Sequence, residues 1–290
     1  MFRDKFGENW YKVGLHIHTT LSDGALTPEE VATRYKNAGF DAIAITDHWV
    51  YHKEDEICGL KIISGCEYNL GGMDTIEGVM HIVGVGMKKE PNIISTDTPR
   101  QEVIDKIIEA GGMAVLAHPA WSLNTFEQIR QLHGFSMLEI YNSVSDAHLS
   151  SRPYSGYIVD ILANNGIVYP LTATDDAHYY DGTDDTKSYI MVNSKSDSID
   201  DILDAIKNQR FYSSQGPQLH VKKENNKIIA DCSECIMIDF LTNSSITIDK
   251  SVRGENLTHA EYTIKDYEKW VRVEVHDENG NYAWSNIITL

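Results

Sequence analysis

An α/β barrel followed by a small all-β, sandwich-like domain is the fold class this sequence predicts, and three observations predict it. Short apolar runs alternate with helical patterns through the first part of the chain. The texture changes at "SSQGP" (213–217), beyond which only short alternating runs appear. Polar side chains gather at the ends of the early apolar runs, where catalytic barrels keep their chemistry. The predicted domains are therefore residues 1–213 and 214–290.

The elements follow in order. "GLHIHTT" (14–20) reads as a strand, and side-chain alternation puts His16 and His18 on one face. Thr27-Pro28-Glu29-Glu30 is a helix start, with Thr27 as N-cap, Pro28 in the first turn and Glu30 placed for a capping box; Gly39 is a plausible stop. "DAIAITDH" (41–48), "LKIISGCE" (60–67) and "MHIVGVGM" (80–87) are buried-strand candidates. No helix separates the last two, only "YNLGGMDTIEGV". If Glu67 and His81 serve one site, those strands should run antiparallel.

Residues 99–111 carry Val103, Ile104, Ile107 and Ile108 at helical spacing. Strand 113–119, helix 125–134, strand 137–142, helix 154–166, strand 169–178, strand 187–194 and helix 198–210 continue the alternation. Strands spaced by helices indicate parallel β/α units, and this many favour a barrel over an open sheet. Beyond Pro217, runs such as "IMIDFLT", "SITIDK", "WVRVEVHD" and "AWSNIITL" are broken by Asn- and Gly-rich turns, the pattern of a small sandwich.

At 290 residues the chain can bury a sizeable core. Acidic residues outnumber basic ones 43 to 25, for a net charge of -18. That balance argues against a nucleic-acid partner, which calls for a basic stripe, and fits carboxylates that hold cations. Cys58, Cys66, Cys232 and Cys235 are too sparse for a disulfide scaffold. Cys232 and Cys235 have the spacing of half a zinc knuckle or a redox pair, but nothing completes it, and two small apolar residues in a strand is the simpler reading. No secretory leader and no membrane span is visible, so a cytoplasmic location is expected.

His16 and His18 lie in the first strand, with Asp23 in its loop. Asp47-His48 ends the second and Glu67 the third; His81 opens the fourth and His118 ends the next. Asp176 and His178, again two apart, close the series. Each alone has a plain structural explanation. Together they place imidazoles and carboxylates at successive strand ends, a donor set that suits Zn, Mn or Fe and exceeds what one ion can use. Asp47 and Asp175 point away from their neighbours His48 and Asp176 and read as supporting residues. Glu139 and Asn142 end a strand and either line the pocket or serve the fold. His133, His148, His220, His259 and His276 read as structural or exposed.

At these residues the chain resembles the PHP (polymerase and histidinol phosphatase) superfamily. H-x-H (His16, His18), S-D-G (Asp23), T-D-H (His48), G-x-E (Glu67), H-[IL]-[VL]-G (His81), A-H-P (His118) and D-A-H (Asp176, His178) occur in the family's order across residues 12–213. The trailing β-domain looks like an extension found on some bacterial PHP phosphoesterases. The resemblance implies a distorted (β/α)7 barrel and a trinuclear site of divalent Zn, Mn or Fe ions. His16, His18, Glu67 and Asp176 would hold the first ion. Glu67 would bridge to the second with His81 and His118. Asp23, His48 and His178 would hold the third, Asp23 standing where some relatives have His.

The expected activity is hydrolysis of a small-molecule phosphomonoester by a metal-bridging hydroxide, with Asp176 or His178 as candidate acid. No P-loop or Arg cluster is present, so Arg152 is the best phosphate clamp, ahead of Arg100 and Lys53. Hydrolysis of a non-phosphate ester or amide at the same metals is the alternative within the enzyme class. A catalytically inert binding module is the alternative outside it, and it would require missing ligands.

Overall fold

The computed structural model describes residues 1–4, 7–72, 74–93, 95–246 and 249–290, with the side chains of 149 and 150 left aside. The chain opens with β1 (Phe2–Arg3) and β2 (Asn9–Gly14), then α1 (Pro28–Asn37), β3 (Ala42–Ala44), β4 (Asp55–Ile57), β5 (Leu60–Ile63), β6 (Gly65–Leu70) and β7 (Met80–Val85). It continues through α2 (Arg100–Glu109), β8 (Met113–Leu116), α3 (Phe126–Arg130), β9 (Phe135–Asn142), α4 (Gly156–Asn164), β10 (Leu171–Thr174), β11 (Tyr189–Asn193), α5 (Ile199–Lys207) and β12 (Phe211–Ser214). The remaining strands are β13 (Leu219–Glu224), β14 (Lys227–Thr242), β15 (Ser251–Thr263), β16 (Trp270–His276), β17 (Tyr282–Trp284) and β18 (Ile288–Thr289). The run 245–250 lies partly outside the described residues.

Local signals hold well. Thr27 caps α1 through a full capping box, its hydroxyl accepting from the Glu30 N–H at 3.3 Å while Glu30 accepts from the Thr27 N–H at 2.9 Å. Thr125 and Gln128 repeat the device at α3. Val31, Ala32 and Tyr35 of α1 pack inward. The large ones among them each stabilise by about 1.5–3 kcal/mol.

The strands form two sheets in a mixed α/β fold that is mostly sheet, and the expected (β/α)7 barrel is not shown by their ladders. A 13-stranded sheet runs β13-β14-β16-β17-β12-β11-β2-β3-β5-β4, with β1, β15 and β18 paired to its members; a 5-stranded sheet runs β10-β9-β8-β7-β6. Among the described residues, isolated bridges, including Ile17 to Ala177 and His48 to Glu67, join the two. The βα repeat breaks because β6, β7 and β8 pair antiparallel with no helix between β6 and β7, and because β11 runs antiparallel to β2. The run 60–67 is two strands. The chain leaves the large sheet after Ile63 and enters the small one at Gly65, where a Cβ would sit 2.5 Å from the Ile45 carbonyl oxygen.

Inward side chains of both sheets nevertheless share one core. Val13, Leu15, Ala44 and Ile63 meet Val83, Val115 and Met137, with Ile202 and Ile206 of α5 packed beneath. β17 pairs with β12, so the C-terminal strands continue the large sheet. Alternation shows that a strand has one buried face but not which strand lies beside it. Cys232 and Cys235 are buried in another apolar cluster, with Ile228, Ile238 and Tyr262, and their sulfurs lie 3.6 Å apart. Arg272 of β16, 1% exposed, forks onto Asp160 of α4 at 2.7 and 3.1 Å and also bonds Glu274. No helix of the described residues is long and apolar enough to cross a membrane.

Candidate metal centre

The ladder of β2 ends at Gly14, yet His16 and His18 stay extended. The Asp176 N–H donates to the His16 carbonyl (2.9 Å), the Thr46 N–H to that of Ile17 (2.8 Å), and the His18 N–H to that of Ala177 (3.1 Å). Both rings therefore point to one side, fully buried. His16 Nε2 lies 3.0 Å from Glu67 Oε2 and 3.1 Å from Asp176 Oδ1; His18 Nε2 lies 3.0 Å from each of the same oxygens. Ligand atoms of His16, His18, Glu67 and Asp176 all fall within 4.8 Å of one another.

Two further groups adjoin this one. His18, Asp23, His48 and His178 form a second close set, and His48, Glu67 and His81 a third. His118 stands just outside the third, its Nε2 3.4 Å from Glu67 Oε1 and 3.6 Å from Asp176 Oδ2. His16, His18, His48, His81 and His118 face Glu67, which takes His81 Nδ1 at 2.9 Å on its other oxygen, while Asp176 and Asp23 lie beside these histidines and His178. Asp23 sits at the rim, with a half-exposed side chain 3.5 Å from His178 Nε2. Arg152 is exposed and is not among the residues lining the cavity, which measures about 200 Å³.

His16 Nε2, His18 Nε2, His48 Nδ1 and Asp176 Oδ1 are buried without a hydrogen-bond partner. Leaving such atoms bare is costly, and convergent lone pairs of this kind fit a cation. Electrostatics agree. Burial works against a charged His16, yet Asp176, Glu67 and Glu139 outweigh it and hold the ring well above its ordinary value. Burial likewise opposes ionisation of Glu67 and Asp176, but the surrounding histidines hold both carboxyls well below the usual range. The pocket demands positive charge.

The alternative left open for Glu139 and Asn142 is settled by contacts. Glu139 Oε1 accepts from His16 Nδ1 at 2.7 Å, and Oε2 accepts from the His118 N–H at 2.9 Å and from Asn142 Nδ2 at 3.0 Å. A proton on Nδ1 leaves the Nε2 lone pair facing the centre, the arrangement in which a carboxylate orients a ligating His. Glu139→Gln is expected to weaken metal affinity about 10- to 100-fold, read by competition with a chelating dye.

Asp47 fastens the loop that carries Asp23. It accepts from the Thr19 N–H (2.7 Å), the Thr19 hydroxyl (2.6 Å), Ser22 Oγ (2.7 Å) and His52 Nε2 (2.7 Å). Burial raises this carboxyl, but donation from His52, Thr19 and Ser22 prevails and holds it at about 2. Its contribution is therefore complete above the ordinary carboxylate value and lost as pH falls toward 2. Asp47→Ala should cost about 2–4 kcal/mol near neutrality, with the gap closing on acidification; urea midpoints at pH 7 and 3 check this. Gly24 closes the same loop, where a Cβ would lie 2.6 Å from the His18 backbone.

Other supports were missed from sequence. Buried Asp184 accepts from the N–H groups of His178, Tyr179 and Tyr180 at 2.7, 2.7 and 2.9 Å, shaping the turn after the D-A-H motif. The Tyr180 hydroxyl donates to the His18 carbonyl. His118 and Asp176 adopt φ of 27° and 54°, strained values for side chains other than Gly. Trp121 and Tyr179 complete the cavity wall. The sole available signal was adjacency, Trp121 following A-H-P and Tyr179 following D-A-H.

The family model for the PHP domain matches residues 14–213. An uncharacterised protein of Methanocaldococcus jannaschii is 31% identical over 120 residues, covering 37% of this chain and 67% of that protein. A two-domain protein of Bacteroides vulgatus, described as containing a predicted PHP-like metal-dependent phosphoesterase, has a TM-score of 0.57 at 16% identity, over 98% of this chain and 95% of its own. The lesion-specific endonuclease Endonuclease Q of Pyrococcus furiosus gives 0.48 at 15% identity, over 69% of this chain and 56% of that one. Endonuclease Q also appears in complex with a 27-mer duplex bearing an abasic lesion at its active site. The expectation that excluded a nucleic-acid partner is therefore corrected. Net charge is a sum over the whole chain, whereas bound cations set the field that a phosphate meets at such a centre.

Proposed function

The chain belongs to the PHP domain family, and from that premise we propose that it is a metal-dependent phosphoesterase acting on phosphomonoesters. The observation that carries this reading is the buried convergence of His16 Nε2, His18 Nε2 and Asp176 Oδ1, none with a hydrogen-bond partner. His16, His18, Glu67 and Asp176 would hold one divalent ion, Glu67 with His81 and His118 a second, and Asp23, His48 and His178 a third. Mixed imidazole and carboxylate donors suit Zn, Mn or Fe. Such ions, when bound, bring water into the neutral ionisation range and offset charge on phosphoryl oxygens.

The chain's own residues supply orientation. Glu139 fixes the His16 ring, and Asp47 and Asp184 fix the loops bearing Asp23 and His178. His178 Nδ1 donates to the Asp176 carbonyl at 2.6 Å, which turns the Nε2 lone pair toward Asp23. That tautomer suits a ligand. Asp176, held ionised by the surrounding histidines against its burial, serves as a ligand in this reading. The domains are read as a catalytic unit, 1–213, and an accessory β-unit, 214–290. Chelator-treated protein should lose p-nitrophenyl phosphate turnover and regain it with Mn or Zn. Full activity after metal depletion, or turnover of carboxylate esters alone, would overturn the reading.

A further inference from the structure

Among the described residues, the cavity at the centre is lined by seven of the candidate ligands and, besides them, by Trp121 and Tyr179, with no Lys or Arg. A phosphoryl group bound among the ligands therefore leaves its ester substituent facing two aromatic rings. Trp121 packs edge-on against His118 (4.9 Å between centroids) and His81 (5.5 Å). Tyr179 is 47% exposed and stacks on His148 at 3.9 Å and 23°.

The turns that carry both rings are tied before any substrate arrives. Asp184 gathers the N–H groups on either side of Tyr179. The turn bearing Trp121 is tied by the Ser122 N–H to the His118 carbonyl (3.1 Å) and by the Ala120 N–H to Ser155 Oγ (3.2 Å). Rigid apolar walls favour a rigid flat ligand, because little ordering cost remains. A polyol would give up water there and find, beyond the candidate ligands, only the Trp121 indole N–H and the Tyr179 hydroxyl as side-chain partners.

We propose that Trp121 and Tyr179 form a leaving-group subsite that selects phosphoesters of planar, weakly polar ring systems. This rests on the phosphoesterase reading above. Trp121→Ala and Tyr179→Ala should each lower the ratio of kcat/KM for phenyl phosphate over glycerol 2-phosphate about tenfold, mainly through KM. Trp121→Phe and Tyr179→Phe should restore most of the ratio. Adenosine 5′-monophosphate and a 5′-phosphorylated single-stranded oligonucleotide, assayed the same way, separate a free ring from one carried on a strand. Ring dependence with either supports the subsite.

An unchanged ratio in both alanine variants overturns the proposal. So does a parallel loss on both esters with loss of bound metal, which would make Trp121 only a positioning residue for His81 and His118. Calorimetric binding of phenylphosphonate against methylphosphonate to the Mn-loaded chain reads the same preference without turnover. Absence of phosphoester hydrolysis by the wild type would thus fail the activity reading alone, whereas equal binding of the two phosphonates fails the subsite.

Discussion

Glu67→Gln is expected to lower phosphoester turnover at least about 10³-fold, equivalent to roughly 4 kcal/mol of transition-state stabilisation. Glu67 sits in the middle of β6, paired with Val83 of β7, so an isosteric amide should leave the strand intact. Its two oxygens face different partners. Oε2 lies 3.0 Å from His16 and His18 and 3.3 Å from His48, while Oε1 faces His81 at 2.9 Å and His118 at 3.4 Å. An amide keeps one acceptor and turns an NH₂ toward ring nitrogens that need a negative partner. Metal content should fall with activity, and both are measured on the same preparation. Full metal content with turnover within about threefold of wild type would show that Glu67 neither bridges nor ligates.

Arg272→Leu is expected to cost about 3–5 kcal/mol of stability, because it strands two carboxylates that the guanidinium now neutralises. The fork onto Asp160 is bidentate, and Arg272 Nη2 also reaches the Tyr154 hydroxyl at 3.3 Å, which itself donates to Glu274. Lys offers no such fork and should rescue little. Replacing Arg272, Asp160 and Glu274 together by apolar residues of similar volume should recover most of the loss. Denaturant midpoints decide between these outcomes, and a single-variant loss below about 1 kcal/mol would mean that the cluster is solvated.

Much of the candidate centre was legible because its side chains are encoded at short range. H-x-H and D-x-H place two side chains on one face wherever the backbone is extended, even beyond the end of a ladder, as at His16 and His18. Helix caps were legible for the same reason. The antiparallel run of β6 and β7 followed from asking that Glu67 and His81 share a site. What sequence did not carry was partner choice between strands. Nothing in "LKIISGCE" marks Ser64 as the crossing between sheets, and nothing in "YAW" assigns β17 to β12. Glu139, a candidate without an assigned role, acts on His16 and His118 across the chain, Asp184 acts on the backbone of a neighbouring turn, and Trp121 and Tyr179 are single aromatic side chains, none of which leaves a periodic trace.

The place of β2 in the large sheet has a consequence for how the protein is made. Val13 pairs with Ile190 of β11, and the Asp176 N–H closes onto the carbonyl of His16. On a ribosome adding about 5–20 residues per second, those partners emerge roughly 10–35 s after the first histidine pair. During that interval His16 and His18 lack the carboxylate that lies 3.1 and 3.0 Å from their rings in the folded chain. On the proposed ligand set, the first position would be complete only once Asp176 has emerged.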